Sequence, residues 1–258
     1  MFKLLAGILV FLFGLVMYLF SGEKNPVTGE KQRVAYSTEE EVEIGREARG
    51  DIARQLGGVV SDRTPIAQQV DRTGEKLVGT LESWLSENDL QNPYAFEFHV
   101  TADRKTVNAL ALPGGQIFIT LGLLDRLETE SQLAAVLAHE IGHVIHRHAS
   151  ERMAKANFRT TTNVAWETAT GNEGSGGVAA WLSQLMDLRY GRGQELESDA
   201  YAIGLLQDAG YRPDAMIELL DILEEASGGG PPEFLSTHPH PENRREQIRE
   251  MLAVGETA

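Results

Sequence analysis

The clearest chemical signal in the sequence is a His-Glu-x-x-His segment formed by His139, Glu140 and His143. In a helix, residues four positions apart lie on one face, so the imidazoles of His139 and His143 can reach the same ion. Two neutral imidazoles suit Zn²⁺, which takes nitrogen ligands in a tetrahedral shell and, when catalytic, keeps one position open for water. Glu140 is then placed to take a proton from that water. The motif therefore predicts a metal site with hydrolytic chemistry.

The residues before the motif predict the helix that must carry it. Thr129 is followed three positions later by Gln132, which resembles a capping box at a helix start. Apolar residues then recur at helical spacing, namely Leu133, Val136, Leu137, Ile141 and Val144. The alternative is a chance match of the short motif. A largely buried helix argues against that alternative, because a buried histidine pair with a glutamate is costly to desolvate without a partner such as a metal.

Composition limits the kinds of metal site and partner that the chain can have. The 258 residues carry a formal net charge of −15 and no cysteine. A strongly acidic surface repels phosphates, so a nucleic-acid partner is not expected. Without cysteine, neither a disulfide framework nor a thiolate metal site can form, and a metal must be held by histidines and carboxylates.

The N-terminus carries an apolar, uncharged run from Leu4 to Phe20. At the helical rise its length is about 26 Å, which is just enough to cross the hydrocarbon core of a membrane. A cleaved signal peptide remains an alternative, but the bulky residues at the end of the run favour a retained signal anchor. Lys3, the only charge before the run, predicts a cytoplasmic N-terminus and a body on the other side of the membrane.

The segments between the anchor and the motif predict helices and a small sheet. Helices are expected from Ser37 towards Leu56 and from Pro65 to Leu85, and a strand over Phe96–Thr101. Two more short strands, joined by a Pro-Gly-Gly turn, are expected within Asn108–Thr120. An exposed edge formed by Asn108, Ala109, Leu110 and Ala111 could hold an extended peptide beside the metal by strand addition. The alternative is a sheet that serves packing alone.

Two histidines leave a catalytic zinc one protein ligand short, and a later segment can supply it. The metzincin pattern needs a histidine six residues after His143, but Ala149 stands there. Glu195 and Asp199 are four residues apart and share a face if they lie on a helix. Glu195 can then reach the metal while Asp199 accepts a hydrogen bond from the far nitrogen of a ligand histidine. Glu197 is expected to point away from both.

Taken together, these motifs resemble a known family. His-Glu-x-x-His, the later Glu195 and Asp199, Ala209-Gly210-Tyr211 and Ser236-Thr237-His238-Pro239 resemble the zinc metallopeptidases that include HtpX and the CAAX prenyl proteases. Asn25-Pro26-Val27-Thr28-Gly29 and the segment Asn108–Thr120 are similar to the bacterial envelope members of the LoiP and BepA kind, and the match runs from about Asn25 to Arg245.

The resemblance implies a gluzincin, a mainly helical α+β zincin domain with a short antiparallel or mixed sheet. It implies one Zn²⁺ per chain with His139, His143 and Glu195 as ligands, Glu140 as general base and Asp199 in hydrogen-bond contact with a ligand. Related enzymes place a histidine such as His238 near the metal, where it could stabilise an oxyanion or occupy the open position in a closed state. The alternative for His238 is a structural loop histidine. His146 and His148 are expected to be structural or surface groups, and His240 to be exposed.

The expected organisation is an anchor or signal peptide at 1–21, a linker at 22–36 and a zinc metallopeptidase domain at 37–258. The chain ends soon after Arg249, so no tetratricopeptide domain is expected, and the lack of cysteine excludes a lipid anchor. The expected function is a membrane-anchored zinc endopeptidase that acts on misfolded or envelope polypeptides outside the cytoplasm. The alternative is a non-catalytic chaperone or adaptor with a structural zinc. The oligomeric state is left open.

Overall fold

Helices dominate the fold, and two small sheets accompany them. The computed structural model describes residues 2–20, 22–170, 190–226, 234, 238 and 244–255. The helices are α1 Phe2–Phe20, α2 Thr38–Gln55, α3 Pro65–Glu87, α4 Leu121–Leu124, α5 Glu130–Ile145, α6 His148–Thr170, α7 Arg192–Asp208, α8 Ala215–Glu225 and α9 Arg244–Gly255. The strands are β1 Gly22–Lys24, β2 Lys31–Arg33, β3 Glu97–Thr101, β4 Ala109–Ala111 and β5 Gln116–Thr120. The predicted mainly helical α+β class is confirmed.

The larger sheet has the order β3-β5-β4, so β3 and β4 are its two edges. β3 runs parallel to β5, and β4 runs antiparallel to it across the predicted Pro-Gly-Gly turn. Within that turn Gly114 has a φ of 78°, and a Cβ there would lie 2.3 Å from the Cα of Val42 on α2. Glycine is therefore required, because it alone combines the left-handed conformation with so close an approach.

The motif helix α5 lies in the centre of the hydrophobic core. Thr129 and Gln132 form the predicted capping box at its N-terminus, and almost every residue from Gln132 to Ile145 is buried. A helix that is covered on all sides has no solvated face. The imidazoles of the motif must therefore make their polar contacts inside the protein, as expected for a buried helix.

Helix α7 packs directly against α5 and brings Glu195 and Asp199 to the His-Glu-x-x-His motif. The two helices approach closely at Gly142, where a Cβ would lie 2.6 Å from the Oγ of Ser198. The Ser198 hydroxyl donates a hydrogen bond of 2.5 Å to the carbonyl of His139. Because these contacts fix the register between the helices, Glu195 and Asp199 on the same helix face the histidines.

A sharp break separates α5 from α6 and reverses the chain. Arg147 adopts a left-handed φ of 54°, and its amide donates to the carbonyl of Val144, which is a helix-ending arrangement. The Arg147 side chain is buried, with its Nε 2.9 Å from Glu41 Oε1 and its Nη2 2.6 Å from the Tyr36 carbonyl. This ion pair ties the break to α2.

The N-terminal region consists of α1 and the β1–β2 hairpin. Lys3–Phe20 is the one helix among the described residues that is long and apolar enough to cross a membrane. The predicted linker is folded rather than extended: the buried Asn25 amide donates to the Ile145 carbonyl at 2.8 Å, and Gln32 donates to the His146 carbonyl at 2.6 Å. The hairpin therefore caps the C-terminal end of α5. The sequence also predicts a flexible loop at 171–177 and a helical pattern at 181–188, and these segments, like His240, lie outside the described residues.

Candidate metal centre

Helix α5 presents the two motif histidines side by side, one turn apart. The Nε2 atoms of His139 and His143 are 3.0 Å apart, and both rings are buried. Glu195, from the first turn of α7, places its carboxylate oxygens 3.5 Å from His139 Nε2 and 3.6 Å from His143 Nε2. The three residues expected as metal ligands are thus brought together from two helices.

His238 joins this group from a distant part of the chain. Its Nδ1 lies 3.1 Å from Glu195 Oε1 and 3.4 Å from His139 Nε2, and its ring stacks on Phe234. One ligand atom from each of His139, His143, Glu195 and His238 lies within 4.8 Å of the other three. Of the two expected positions for His238, a loop or the metal cluster, the structure places it in the cluster.

The donor set of this buried cluster fits a metal ion. Three imidazole nitrogens and one carboxylate oxygen are typical ligands of zinc in a cysteine-free site. Burial would lower the pKa of His139, but Asp199 and Glu195 raise it to about 9, so the cluster favours a cation in this place. Burial alone would raise the pKa of Glu195, yet His238, His139 and Arg244 hold it well below its usual range. Glu195 is therefore a carboxylate, the form that binds a metal.

Asp199 and Arg244 hold His139 from the side opposite the cluster. Asp199 Oδ1 lies 2.9 Å from His139 Nδ1, which is the contact that the sequence predicts for Asp199. Arg244, at the start of α9, donates to both oxygens of Asp199 at 2.6 and 2.7 Å and lies 3.0 Å from Glu195. Burial would raise the pKa of Asp199, but Arg244 and His139 keep it below its usual value. No spacing or motif in the sequence points to Arg244, which lies 45 residues from Asp199.

His143 is held by a different chain of contacts. Its Nδ1 lies 2.7 Å from the Nδ1 of His148, whose Nε2 lies 2.9 Å from Glu197 Oε2. Tyr190 stacks on the His143 ring with centroids 3.8 Å apart, and the Arg152 guanidinium lies over the Tyr190 ring at 3.5 Å from its centroid. Burial lowers the pKa of His148 to about 4, although Glu197 opposes this.

His148 was expected to be a structural or surface group. It is fully buried and its ring contacts His143, so of these two options it is a structural group. Glu197 does point away from Glu195, yet it supports the site through His148. Helical spacing cannot reveal this contact, because the left-handed turn at Arg147 folds His148 back onto α5.

Glu140 lies beside the cluster without joining it. Its side chain is buried, and neither carboxylate oxygen has a hydrogen-bond partner among the described residues. Burial raises the pKa of Glu140, although His238 and His139 oppose the rise. The nearest ionisable contact is His238, with Nε2 3.8 Å from Glu140 Oε1. A buried carboxyl group with free oxygens beside a cation site is suited to exchange protons with a molecule bound there.

The expected peptide-binding edge is an edge strand, but it is partly covered. Ala109, Leu110 and Ala111 form β4, and Asn108 precedes it with a buried amide oxygen that has no partner among the described residues. The backbone N–H of Phe234 donates to the Val107 carbonyl at 3.3 Å. The segment that carries His238 therefore contacts both the cluster and the start of this edge.

A buried His-Glu-x-x-His helix that meets a glutamate from a later helix, beside a short mixed sheet, is the arrangement of the zincin class of metallopeptidases. The chain belongs to peptidase family M48, whose family model matches residues 67–252. The resemblance inferred from the sequence is thereby confirmed at the level of the family.

Three relatives illustrate the range of the family. The beta-barrel assembly-enhancing protease of Escherichia coli (strain K12) is 32% identical over 234 residues, covering 81% of this chain and 46% of that protein. The mitochondrial metalloendopeptidase OMA1 of Schizosaccharomyces pombe is 29% identical over 243 residues, covering 93% and 69%. The metalloprotease YcaL of Escherichia coli (strain K12) is 27% identical over 213 residues, covering 79% and 80%. This chain thus spans less than half the length of the beta-barrel assembly-enhancing protease.

Proposed function

We propose that this protein is a zinc-dependent endopeptidase that hydrolyses polypeptides outside the cytoplasm. One observation carries the proposal: the buried convergence of His139, His143 and Glu195 beside Glu140, a carboxyl group without a hydrogen-bond partner among the described residues. The names of the M48 relatives, which are proteases and metalloendopeptidases, support the same reaction class and a polypeptide as substrate.

His139, His143 and Glu195 would hold the zinc ion. When bound, zinc polarises the scissile carbonyl and lowers the pKa of the attacking water. Asp199 accepts a hydrogen bond from His139 Nδ1 at 2.9 Å and so leaves Nε2 of that ring as the ligand atom. His148 orients His143 in the same way through their Nδ1 atoms. Both outer partners fix the ring orientations that the metal requires.

Glu140 would act as the general base. It takes one proton from the attacking water as the oxygen bonds to the peptide carbon, and it later delivers a proton to the amine as the C–N bond breaks. Burial favours this exchange, because it raises the pKa of the Glu140 carboxyl group above its usual value.

His238 would have two roles in two states. In a closed state its Nδ1, which lies 3.1 Å from Glu195 Oε1 and 3.4 Å from His139 Nε2, would occupy the open position of the metal. When a substrate takes that place, the His238 ring would donate a hydrogen bond to the oxyanion from the same side. Its Nε2 has no hydrogen-bond partner among the described residues and is available for this role.

The substrate would bind as an extended strand along β4. Asn108, Ala109, Leu110 and Ala111 lie at the sheet edge that adjoins α5, so an added strand would pass the metal centre. Phe234 would have to move for this, because its N–H donates to the Val107 carbonyl. We further propose that α1 anchors residues 37–258 to the membrane and that misfolded or envelope proteins are the substrates.

A second candidate function is a non-catalytic chaperone or adaptor with a structural zinc. The observation in its favour is that four potential ligands converge, because structural zinc sites have four protein ligands and no open position. In that case β4 would bind unfolded chains without cleaving them.

Replacement of Glu140 separates the two candidates. The full chain in detergent and its Glu140→Gln variant are analysed for zinc content and for cleavage of an unfolded casein substrate. The peptidase proposal predicts one zinc per chain in both proteins and cleavage by the wild type alone. A matched control, Glu128→Gln, removes one exposed carboxylate near the start of α5 and should cleave normally. Cleavage by Glu140→Gln, or zinc in all three proteins with cleavage by none of them, would contradict the peptidase proposal.

A further inference from the structure

A second groove lies at the other edge of the sheet, along β3. It has a volume of about 770 Å³ and lies between α2, which contributes Arg49 and Ala53, and α3, which contributes Asp71 and Glu75. Its floor is the outer edge of β3 around Phe98. Two strand spacings, about 10 Å, separate this edge from β4. We call this feature the β3 groove.

The edge of β3 already carries the start of an additional strand. The Val60 N–H donates to the Val100 carbonyl at 2.8 Å, and the Ala102 N–H donates to the Gly58 carbonyl at 2.9 Å. The chain then leaves the edge through a turn in which the Thr64 N–H donates to the Ser61 carbonyl. Residues 58–60 therefore pair with only the C-terminal end of β3.

The rest of this edge has unpaired backbone groups. Because strand residues alternate in direction, the N–H and C=O of Phe98 point to the same side as those of Val100, away from β5. No described residue pairs with the Phe98 backbone on that side. Such an edge can pair with another strand. Its neighbours Val59, Val78 and Phe96 offer apolar surface to the side chains of that added strand.

The charges around the groove determine which segment would fit. Its lining includes five carboxylates, Asp62, Asp71, Glu75, Glu82 and Glu97. Arg49, the one basic side chain of the lining apart from His99, already pairs with Glu97 at 2.9 Å. Burial, followed by repulsion from Asp62 and Glu75, raises the pKa of Asp71. Negative charge in the groove is therefore not compensated within the described part of the chain.

We propose that the β3 groove binds an extended, basic segment of a polypeptide, which adds to the outer edge of β3 in line with residues 58–60. Lysine or arginine side chains at alternate positions of the segment face Asp71 and Glu75 on α3, and the apolar side chains between them face Ala53 on α2. The binding itself does not require the metal centre. Its use as a second substrate-binding site, in addition to β4, rests on the proposed peptidase function.

The test measures binding of short labelled peptides to the full-length Glu140→Gln protein in detergent by fluorescence anisotropy, since that variant should leave the peptides intact. The probe alternates valine and lysine, and the comparison peptide alternates valine and glutamate. We expect the lysine peptide to bind at least about tenfold more tightly. Equal binding of the two peptides would overturn the proposal.

Two further comparisons locate the binding. Asp71→Asn with Glu75→Gln should weaken binding of the lysine peptide at least about fivefold. Glu43→Gln with Glu47→Gln is the matched control, because these exposed residues of α2 have the same spacing and lie outside the groove. A lysine peptide with N-methylated backbone amides should also lose affinity, because it cannot pair with a strand. Equal effects of the two double variants, or full binding of the methylated peptide, would overturn the proposal.

A divalent cation is the competing ligand for an acidic groove. In titration calorimetry with calcium on the same protein, the added Asp71→Asn and Glu75→Gln changes should not alter the result. Calcium binding that these two changes abolish would overturn the proposal in favour of a cation site. Peptide binding should also persist after removal of the metal by a chelator, so failure of the peptidase proposal leaves this result unchanged.

Discussion

The two motif histidines lie one helical turn apart on α5 but are held by different kinds of contact. His139 is fixed by a buried ionic pair, in which Asp199 accepts two hydrogen bonds from Arg244. His143 is fixed by His148, whose other nitrogen contacts Glu197. The Asp199 and Arg244 side chains are almost fully buried, whereas the Glu197 side chain is 37% exposed.

This difference indicates that the two halves of the metal centre contribute unequally to its stability. Buried charges that lose a partner are strongly destabilising, because no solvent replaces the lost contact. A partly exposed carboxylate is solvated and screened, so its removal costs little. The Asp199–Arg244 pair also joins α7 to α9, while the His148–Glu197 contact joins the start of α6 to α7. We therefore expect His139 to be the more rigidly held ligand.

The largest effect is expected for Arg244→Met. It removes the buried guanidinium that contacts both Asp199 and Glu195 and should lower the free energy of unfolding by about 3–5 kcal/mol. Urea denaturation of the zinc-free protein measures this effect. Arg245→Met is the matched control, because Arg245 pairs with Asp221 and Glu224 at the surface and should cost less than about 1 kcal/mol. Similar losses in the two variants would refute the distinction between buried and exposed pairs.

Asp199→Asn tests the His139 side through the metal itself. The asparagine side chain offers His139 Nδ1 an uncharged acceptor in place of a carboxylate. Zinc affinity should therefore fall about 10- to 100-fold. Competition with a chromophoric chelator gives the dissociation constant. An affinity within about twofold of wild type would show that Asp199 does not support the ligand.

His148→Ala tests the His143 side. It removes the acceptor or donor that faces His143 Nδ1, and zinc affinity should fall about tenfold, which is at the lower end of the range for such outer contacts. The same chelator competition applies. Tyr190 still stacks on the His143 ring in this variant, which limits the loss. A loss greater than that of Asp199→Asn would reverse the order proposed for the two histidines.

The smallest effect is expected for Glu197→Gln. Because the carboxylate is partly exposed, its contribution through His148 should change zinc affinity by about two- to fivefold. The change should shrink further when the assay is repeated at high salt, since screening weakens the wild-type contact. A salt-independent loss of tenfold or more would indicate that the Glu197–His148 contact acts as a buried pair.

The parts of the site that lie on single helices could be predicted from the sequence. The capping box at Thr129, the buried face of α5 and the shared face of Glu195 and Asp199 all follow from helical spacing and local capping chemistry. The Pro-Gly-Gly turn between β4 and β5 follows from turn chemistry in the same way. These features depend on residues within a few positions of one another.

The remaining features depend on contacts between distant segments. Arg244 reaches Asp199 only because α9 packs on α7, and His148 reaches His143 only because Arg147 breaks the helix with a left-handed residue. The alternation of apolar and polar residues in the predicted strand Phe96–Thr101 predicts a surface position for His99, yet its side chain is mostly buried and lies 2.9 Å from Gln116 on the neighbouring strand. Periodicity within one segment carries no information about such partners.

The most direct test of the central assignment compares two glutamates on one helix. Glu195→Gln and Glu197→Gln remove the same charge two residues apart, but only Glu195 faces His139 and His143. Zinc per chain is measured by elemental analysis of both variants and the wild type after dialysis against micromolar zinc. We predict one zinc per chain in the wild type and in Glu197→Gln, and a loss of most of the zinc in Glu195→Gln. Retention of one zinc in Glu195→Gln, or equal loss in both variants, would contradict the assignment of Glu195 as the third ligand.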